Sequence, residues 1–284
     1  MLSDAVAALR CPVCEGRFQL VEDPQRRLVC GSGHVFDAAK QGYFNLLTGK
    51  GTVFEADSAE MVGARHRFLD SGHYAALAQR VAGLAAASLQ RPGAVVLDAG
   101  TGTGHYLHSV LESTPASAIG LDISKFALRR AARLNGDAAN LVWDIWRPLP
   151  VADDAVDVVL VVFAPRNPPE FARVLRPGGK LIVVTPQQGH LAEIAARTGM
   201  LSIEEGKAER LAESLGGYFH ADSTYNLDVP LTLTGSELAD IAYMGPAGHH
   251  IKPEELALLA GEDRAAATTA KFRISLFTVG ASAS

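Results

Sequence analysis

The stretch Val95-Val96-Leu97-Asp98-Ala99-Gly100-Thr101-Gly102-Thr103-Gly104-His105-Tyr106 constrains this chain more than any other. A short apolar run ends in an acid, enters a turn with glycine at 100, 102 and 104, and opens an amphipathic helix. A second apolar run ends the same way, at Gly120-Leu121-Asp122-Ile123-Ser124. Strand, tight turn, helix and strand in that order describe one unit of a parallel sheet, whose ligands lie at the carboxyl ends of the strands. Glycine lets backbone approach a ligand where a Cβ would collide. An acid at the end of the second strand can accept both hydroxyls of a ribose. The arrangement predicts a pocket for a ligand that carries an adenosine and a charged tail.

Two ligand classes suit such a turn. Nicotinamide cofactors bind G-x-G-x-x-G, with a pyrophosphate at the helix start. Here the spacing is G-x-G-x-G, and Asp98 directly before the turn would repel a pyrophosphate. S-adenosylmethionine has no phosphate and presents an ammonium, a carboxylate and a sulfonium, so an acid beside the glycines suits it. A tight turn with no ligand is the bland alternative. On these residues the chain resembles the class I S-adenosylmethionine-dependent methyltransferases, with Asp98, Gly100, Gly102, Gly104 and Asp122 as cofactor contacts. That resemblance implies an α/β, Rossmann-like fold with a mostly parallel seven-stranded sheet.

The pattern along the chain agrees. Strands are predicted at 94–98, 118–122, 140–143, 156–163 and 180–185, and helices at 104–113, 124–134, 168–175 and 190–198. Val156 to Phe163 is almost wholly apolar, as befits a strand buried on both faces. Tyr225–Val229 and Lys271–Val279 read as an antiparallel edge pair. Upstream, Ser58 is placed to cap a helix that runs toward Gly72, and Tyr74 to Leu89 reads as a second helix.

All three cysteines fall within the first 30 residues, as C-x2-C-x15-C-x3-H through Cys11, Cys14, Cys30 and His34. An odd number of cysteines disfavours a disulfide scaffold. Four thiolate and imidazole ligands suit tetrahedral zinc, and a set closed by four protein ligands makes a structural site. The alternative is buried or redox-active thiols with an incidental histidine. Phe18-Gln19-Leu20 is predicted to pair with Leu28-Val29-Cys30, and so small a module needs the metal to stand. The expected organisation is a zinc module with its connecting segment at 1–50, a helical linker at 51–92 and the methyltransferase domain at 93–284.

Strand ends supply further candidates. Asp144, after the third strand, is placed to accept from an adenine amino group, or else is a solvated acid. In Phe163-Ala164-Pro165-Arg166-Asn167-Pro168-Pro169, after the fourth strand, Phe163 can stack on a planar acceptor, and Arg166 or Asn167 can reach its carbonyl or a phosphate. His190 follows the fifth strand at the same end. The net charge of −5 gives no overall pull toward a phosphate backbone, so nucleic-acid binding would fall to a local patch. Arg17, Arg26, Arg27, Lys40 and Lys50 around the zinc module are plausible phosphate contacts, each of them otherwise an ordinary solvated charge. No apolar run approaches a membrane span of about 18 residues, and the first residues lack the basic start and apolar core of a signal peptide. A cytoplasmic protein with no membrane partner is expected.

With the zinc module, Gly33-His34-Val35-Phe36-Asp37, Lys40-Gln41-Gly42-Tyr43-Phe44-Asn45-Leu46-Leu47, Asp57-Ser58-Ala59-Glu60-Met61-Val62 and Phe68-Leu69-Asp70-Ser71-Gly72-His73-Tyr74 together, the chain resembles the 23S ribosomal RNA guanine-N1 methyltransferases of the RlmA and TlrB type over nearly its full length. Ala164-Pro165-Arg166-Asn167-Pro168-Pro169-Glu170 and Val184-Thr185-Pro186-Gln187-Gln188 look most like its actinobacterial branch, whose members methylate a hairpin-loop guanine near the peptide exit tunnel. Some of these confer resistance to tylosin-type macrolides. The resemblance implies zinc on Cys11, Cys14, Cys30 and His34, and S-adenosylmethionine contacts at Tyr74, Gly104, His105 and His190. It further implies a homodimer with an RNA-sized cleft, and ribosomal RNA rather than DNA as partner. In that chemistry Arg166 would steady charge at guanine O6. A small-molecule methyltransferase, or a zinc-dependent RNA-binding protein with a vestigial cofactor pocket, are the competing readings.

Overall fold

The computed structural model describes residues 2–49, 51–198 and 213–280. After a short helix α1 (Leu2–Ala7), strands β1 (Phe18–Val21), β2 (Arg27–Cys30) and β3 (Val35–Asp37) form a small antiparallel sheet. Phe18 faces Cys30 and Leu20 faces Leu28, the pairing expected from the sequence. The next strand, β4 (Phe44–Asn45), leaves this ribbon for the main sheet.

The main sheet adds β5 (Val95–Ala99), β6 (Ser117–Asp122), β7 (Ala139–Val142), β8 (Val156–Val162), β9 (Leu175–Pro186), β10 (Phe219–Leu233) and β11 (Ala266–Val279). Its order is β10-β11-β9-β8-β5-β6-β7-β4. The strands from β9 to β4 run parallel, while β11 is antiparallel to both its neighbours. The edge pair expected from the sequence is therefore present, although both strands start earlier than their apolar patterns suggested. The sheet has eight strands where seven were expected. The extra one is β4, which sets Phe44 against Leu141 and Asn45 against Val142. Phe44 and Leu46 are fully buried, so the segment after the ribbon satisfies its backbone on the edge of β7 while burying its apolar side chains. Two residues are too few for a strand period to show in sequence.

Helices α2 (Ala59–Asp70) and α3 (Ala75–Ala86) precede the sheet, and Ser58 Oγ accepts from the Met61 amide at 3.2 Å, the cap expected there. Helices α4 (His105–Ser113), α5 (Lys125–Leu134), α6 (Pro168–Val174) and α7 (Ala192–Thr198) connect the parallel strands or follow them; α8 (Gly235–Tyr243) and α9 (Pro253–Ala260) lie between β10 and β11. One face of the sheet buries Leu77, Val81, Leu107, Leu238 and Phe272 under α3, α4 and α8. The other face shares a single cluster with the ribbon, in which Cys11, Phe18 and Leu28 pack with Leu97, Phe171 and Val183. Backbone bonds reinforce that union: the Arg10 amide donates to Pro150 O at 2.9 Å and the Ala152 amide to Ala8 O at 2.8 Å.

Phe44→Ala is expected to lower the free energy of unfolding by about 3–5 kcal/mol, the usual cost of emptying a buried phenylalanine site. Denaturant unfolding of the two proteins checks it.

Candidate active site and metal centre

The turn between β5 and α4 is built around positive-φ glycines, Gly100 at 88° and Gly104 at 83° among them. A Cβ on Gly100 would stand 2.3 Å from Ala164 Cβ, and one on Gly104 would stand 2.7 Å from Asn135 Nδ2. The turn is thus closed on one side by the loop after β8 and on the other by the end of α5. At the end of β6 the Asp122 carboxylate accepts from the Gly102 and Ser124 amides, both at 2.8 Å. Burial raises its pKa, against the pull of those two amides.

Asp98, near the end of β5, is 1% exposed, and its two oxygens accept no hydrogen bond of good geometry among the described residues. Burial pushes its carboxyl up to about 7; the nearby Thr101 hydroxyl opposes this and the Asp122 charge adds to it. Thr101 Oγ1, His105 Nε2 and the Tyr106 hydroxyl are also buried without partners. Residues 98–106 therefore carry five of the nine such atoms among the described residues. Buried polar atoms left unpaired cost about 1–3 kcal/mol each. Their concentration on one turn fits a polar ligand with an ammonium and a carboxylate, which is what S-adenosylmethionine presents.

Aromatic rings line the same strand ends. Phe272 of β11 lies 4.9 Å from Tyr74, 5.7 Å from Phe163 and 5.1 Å from His190, centroid to centroid. Tyr106 links the group to His105 at 5.1 Å and to Phe163 at 6.3 Å. The structure thus gathers Tyr74, His105, Phe163 and His190, named separately from sequence, around two rings that were not singled out as contacts. His190 Nδ1 sits 2.9 Å from Lys271 O and 3.0 Å from the Lys271 amide. Burial lowers its pKa, which favours the neutral ring.

Phe163, directly after β8, has φ 55°, a left-handed conformation costly for an aromatic residue, and the residue is 45% exposed. Arg166 is half-buried, its pKa is lowered by burial, and no carboxylate pairs with it among the described residues. Asn167 is committed elsewhere: Nδ2 donates to Ile145 O at 2.8 Å, and the residue starts α6. Asp144 is buried and not a solvated acid. Its Oδ2 accepts from the Thr52 hydroxyl at 2.8 Å and its Oδ1 from the Trp146 amide at 3.0 Å. A carboxylate has about four lone-pair sites, so an adenine amino group can still be received there.

Sequence reasoning passed over the segment around 51–57. Thr52 binds Asp144, Arg147 donates to Gly51 O, and Asp57 O accepts from the Ser124 hydroxyl at 3.0 Å. The segment therefore runs across the ends of β7 and β6. Arg65 pins it, with Nη1 2.5 Å from Asp57 Oδ2 and Nη2 donating to Met244 O at 2.6 Å. The guanidinium lies 3.9 Å from where a Gly102 Cβ would be. The only sequence signal for this was an arginine on the helix face that otherwise carries Met61, Phe68 and Leu69.

In the ribbon, the ligand atoms of Cys11, Cys14, Cys30 and His34 lie within 4.8 Å of one another. Cys14 Sγ and Cys30 Sγ are 3.6 Å apart, and His34 Nδ1 is 3.6 Å from Cys11 Sγ and 3.3 Å from Cys30 Sγ. A zinc tetrahedron with bonds of about 2.3 Å to sulfur and 2.0 Å to nitrogen has edges of about 3.8 and 3.5 Å, so the set fits zinc closely. The Ser32 hydroxyl and the Gly16 amide draw the Cys14 thiol down to about 6, toward the thiolate that metal requires.

Fold and site define a class I S-adenosylmethionine-dependent methyltransferase with a structural zinc ribbon. Residues 96–179 match the methyltransferase domain family and residues 9–49 the RlmA N-terminal family. The chain is 47% identical to the 23S rRNA (guanine(748)-N(1))-methyltransferase of Streptomyces fradiae, over 90% of this chain and 91% of that one. It is 42% identical to a Micromonospora griseorubida protein named for guanine-N1 methylation of 23S rRNA, over 98% and 99% of the two. A chain from the complex of the Haloferax volcanii Trm112 methyltransferase activator with a methyltransferase shares the fold at TM-score 0.53 and 18% identity, covering 80% of this chain and all of that one. This chain belongs to the 23S rRNA guanine-N1 methyltransferases.

An ammonium seated at Asp98 would require the ionised carboxylate, so binding below the carboxyl's pKa would first have to expel a proton. S-adenosylmethionine affinity is expected to be level above about pH 7 and to fall up to about tenfold per pH unit below it. Asp98→Asn should weaken binding at high pH and flatten the profile; isothermal titration across that range decides. Treatment with a strong chelator should release one zinc per chain and lower the melting temperature, as metal analysis and a thermal melt would show.

Proposed function

We propose that this enzyme methylates N1 of one guanine in a hairpin loop of 23S ribosomal RNA near the peptide exit tunnel, as the Streptomyces relative's name specifies guanine 748 for that protein. The observation that carries the chemistry is Arg166, half-buried and without a counter-ion among the described residues, in the loop that abuts the glycine turn through Ala164.

Bound S-adenosylmethionine supplies an electrophilic methyl group. Asp98 and the Thr101, His105 and Tyr106 polar atoms hold its charged tail, with Gly100, Gly102 and Gly104 giving the close approach. Asp122 would hold the ribose and Asp144 the adenine amino group, with Tyr74 and His190 bordering the cleft. Guanine N1 carries a proton, and its lone pair is delocalised toward O6. Phe163 would stack on the unstacked base and Arg166 would donate to O6 as charge builds there; N1 would take the methyl as its bond to the sulfonium breaks and leaves a neutral thioether, and the N1 proton would pass to solvent. Asn167 keeps this loop in register by holding Ile145. Alignment of the base against the donor supplies much of the rate.

The ribbon's cations would grip the RNA backbone. Arg10 and Arg17 occupy bridged backbone positions, and burial first, then the Arg17 charge, lowers the Arg10 pKa. Arg27 and Lys40 lie on the same ribbon sheet and the turn after it, and Arg26 is partly neutralised by Glu22 at 3.4 Å. Lys50 lies outside the described residues. A homodimer, a cytoplasmic location and protection against tylosin-type macrolides belong to the same proposal. Among the described residues no helix is long and apolar enough to cross a membrane.

Labelled methyl from S-adenosylmethionine should pass to unmodified 23S RNA and produce a single primer-extension stop at a hairpin guanine, because a methyl on N1 blocks Watson–Crick pairing. No transfer to RNA or ribosomal subunits, despite measurable cofactor binding, would refute the proposal. Arg166→Met should lower kcat about 10²- to 10³-fold, as loss of an oxyanion donor does, with cofactor affinity retained.

A further inference from the structure

Two aromatic side chains near the acceptor loop are exposed in a way that burial does not explain. Phe54 is 49% and Trp146 52% exposed, and their rings stand 6.3 Å apart, tilted by 36°. Val53 beside them is 95% exposed. Large apolar side chains clustered in solvent mark interaction sites more often than chance placements.

This pair is also held in place. The buried Asp144 carboxylate takes the Thr52 hydroxyl on one oxygen and the Trp146 amide on the other, at 2.8 and 3.0 Å. The Thr52 oxygen in turn takes the Phe54 amide at 3.2 Å. One carboxylate thus positions both rings, although they come from segments about 90 residues apart. The platform is joined to the acceptor loop, since Asn167 holds the carbonyl of Ile145, the residue before Trp146, at 2.8 Å. Arg147 follows Trp146 in sequence, and Arg166 precedes Asn167. Glu55, the acid next to Phe54, lies 3.8 Å from His249.

We propose that Phe54 and Trp146 form a stacking platform for an unpaired base of the RNA substrate, next to the guanine that is methylated. This rests on the function proposed above. Unpaired bases are recognised by stacking on aromatic side chains, with cationic groups nearby for the backbone. The occupant is RNA and not a second copy of the chain, because three side chains match one or two bases but fall far short of the roughly 800 Å² per partner that a stable interface buries. Asp144 is then a positioning residue for RNA as well as a strand-end acid.

The chain has two tryptophans, of which Trp143 is 5% and Trp146 52% exposed, so intrinsic fluorescence reports on the platform. Titration of the zinc-loaded protein with a transcribed 23S hairpin should quench tryptophan emission, and Trp146→Phe should abolish that change while keeping KM for RNA near wild type. Trp146→Ala and, independently, Phe54→Ala should raise KM for the hairpin about tenfold, the usual effect of losing one base stack, with kcat at saturating RNA little changed. Abasic substitution of the loop nucleotides one at a time should identify a position where Trp146→Ala has no further effect. Unchanged emission at saturating hairpin while methylation proceeds would overturn the platform and leave the proposed function standing. Failure of the wild-type protein to methylate 23S RNA would overturn both. Dissociation of a dimer by Trp146→Ala with RNA affinity unaltered would assign the surface to a second copy and overturn the platform.

Discussion

Ala164 fills the space that a side chain at residue 100 would need, and the active site depends on that contact. Because Gly100 has no Cβ, the loop after β8 lies directly on the turn after β5. The loop that carries Phe163 and Arg166 is thereby brought against the turn that carries the unpaired Asp98. The proposed donor and acceptor pockets would then be the two sides of one contact, between a glycine backbone and an alanine methyl. The left-handed Phe163 is where the chain pays conformationally for turning so sharply at the strand end.

Electrostatics inside this contact are tuned by burial more than by pairing. Asp98 accepts no backbone amide among the described residues, while Asp122, at the end of the adjacent strand β6, is steadied by two of them. Two acids that look alike in the sequence, each closing an apolar run, therefore differ in what they await. One is left without a hydrogen-bond donor among the described residues, and the other organises the glycine turn. Arg65 and Arg166 show the same division: the first is tied to Asp57 and Met244, the second has no acidic partner among the described residues.

Much of this was legible in the sequence. The glycine turn, the parallel order, the terminal strand pair and the four zinc ligands each leave a local pattern in which a few adjacent residues must be of one kind. What escaped depends on contacts between distant segments. Phe272 looks like one more alternating residue of a strand, and its place among Tyr74, Phe163 and His190 follows only from how β11 inserts beside β9. Thr52 is a small polar residue in a polar stretch, and nothing local ties it to Asp144. Asp144 itself was seen as a strand-end acid facing one ligand, but its neighbours on two other segments could not be read. β4 was hidden because two residues carry no period.

The placement of β4 bears on how the sheet meets other chains. An open sheet edge offers a row of unpaired amides and carbonyls to any strand that approaches. Here Phe44 is bridged on its far side by Ala38 as well as paired to Leu141, so the ribbon closes that edge over its few residues and leaves no ladder to extend. At the opposite edge β10 runs for 15 residues, interrupted by Pro230, which has no amide to donate. The two flanks of the molecule are therefore unequal as seeds for strand addition, and a metal-stabilised appendage doubles as the guard on one of them.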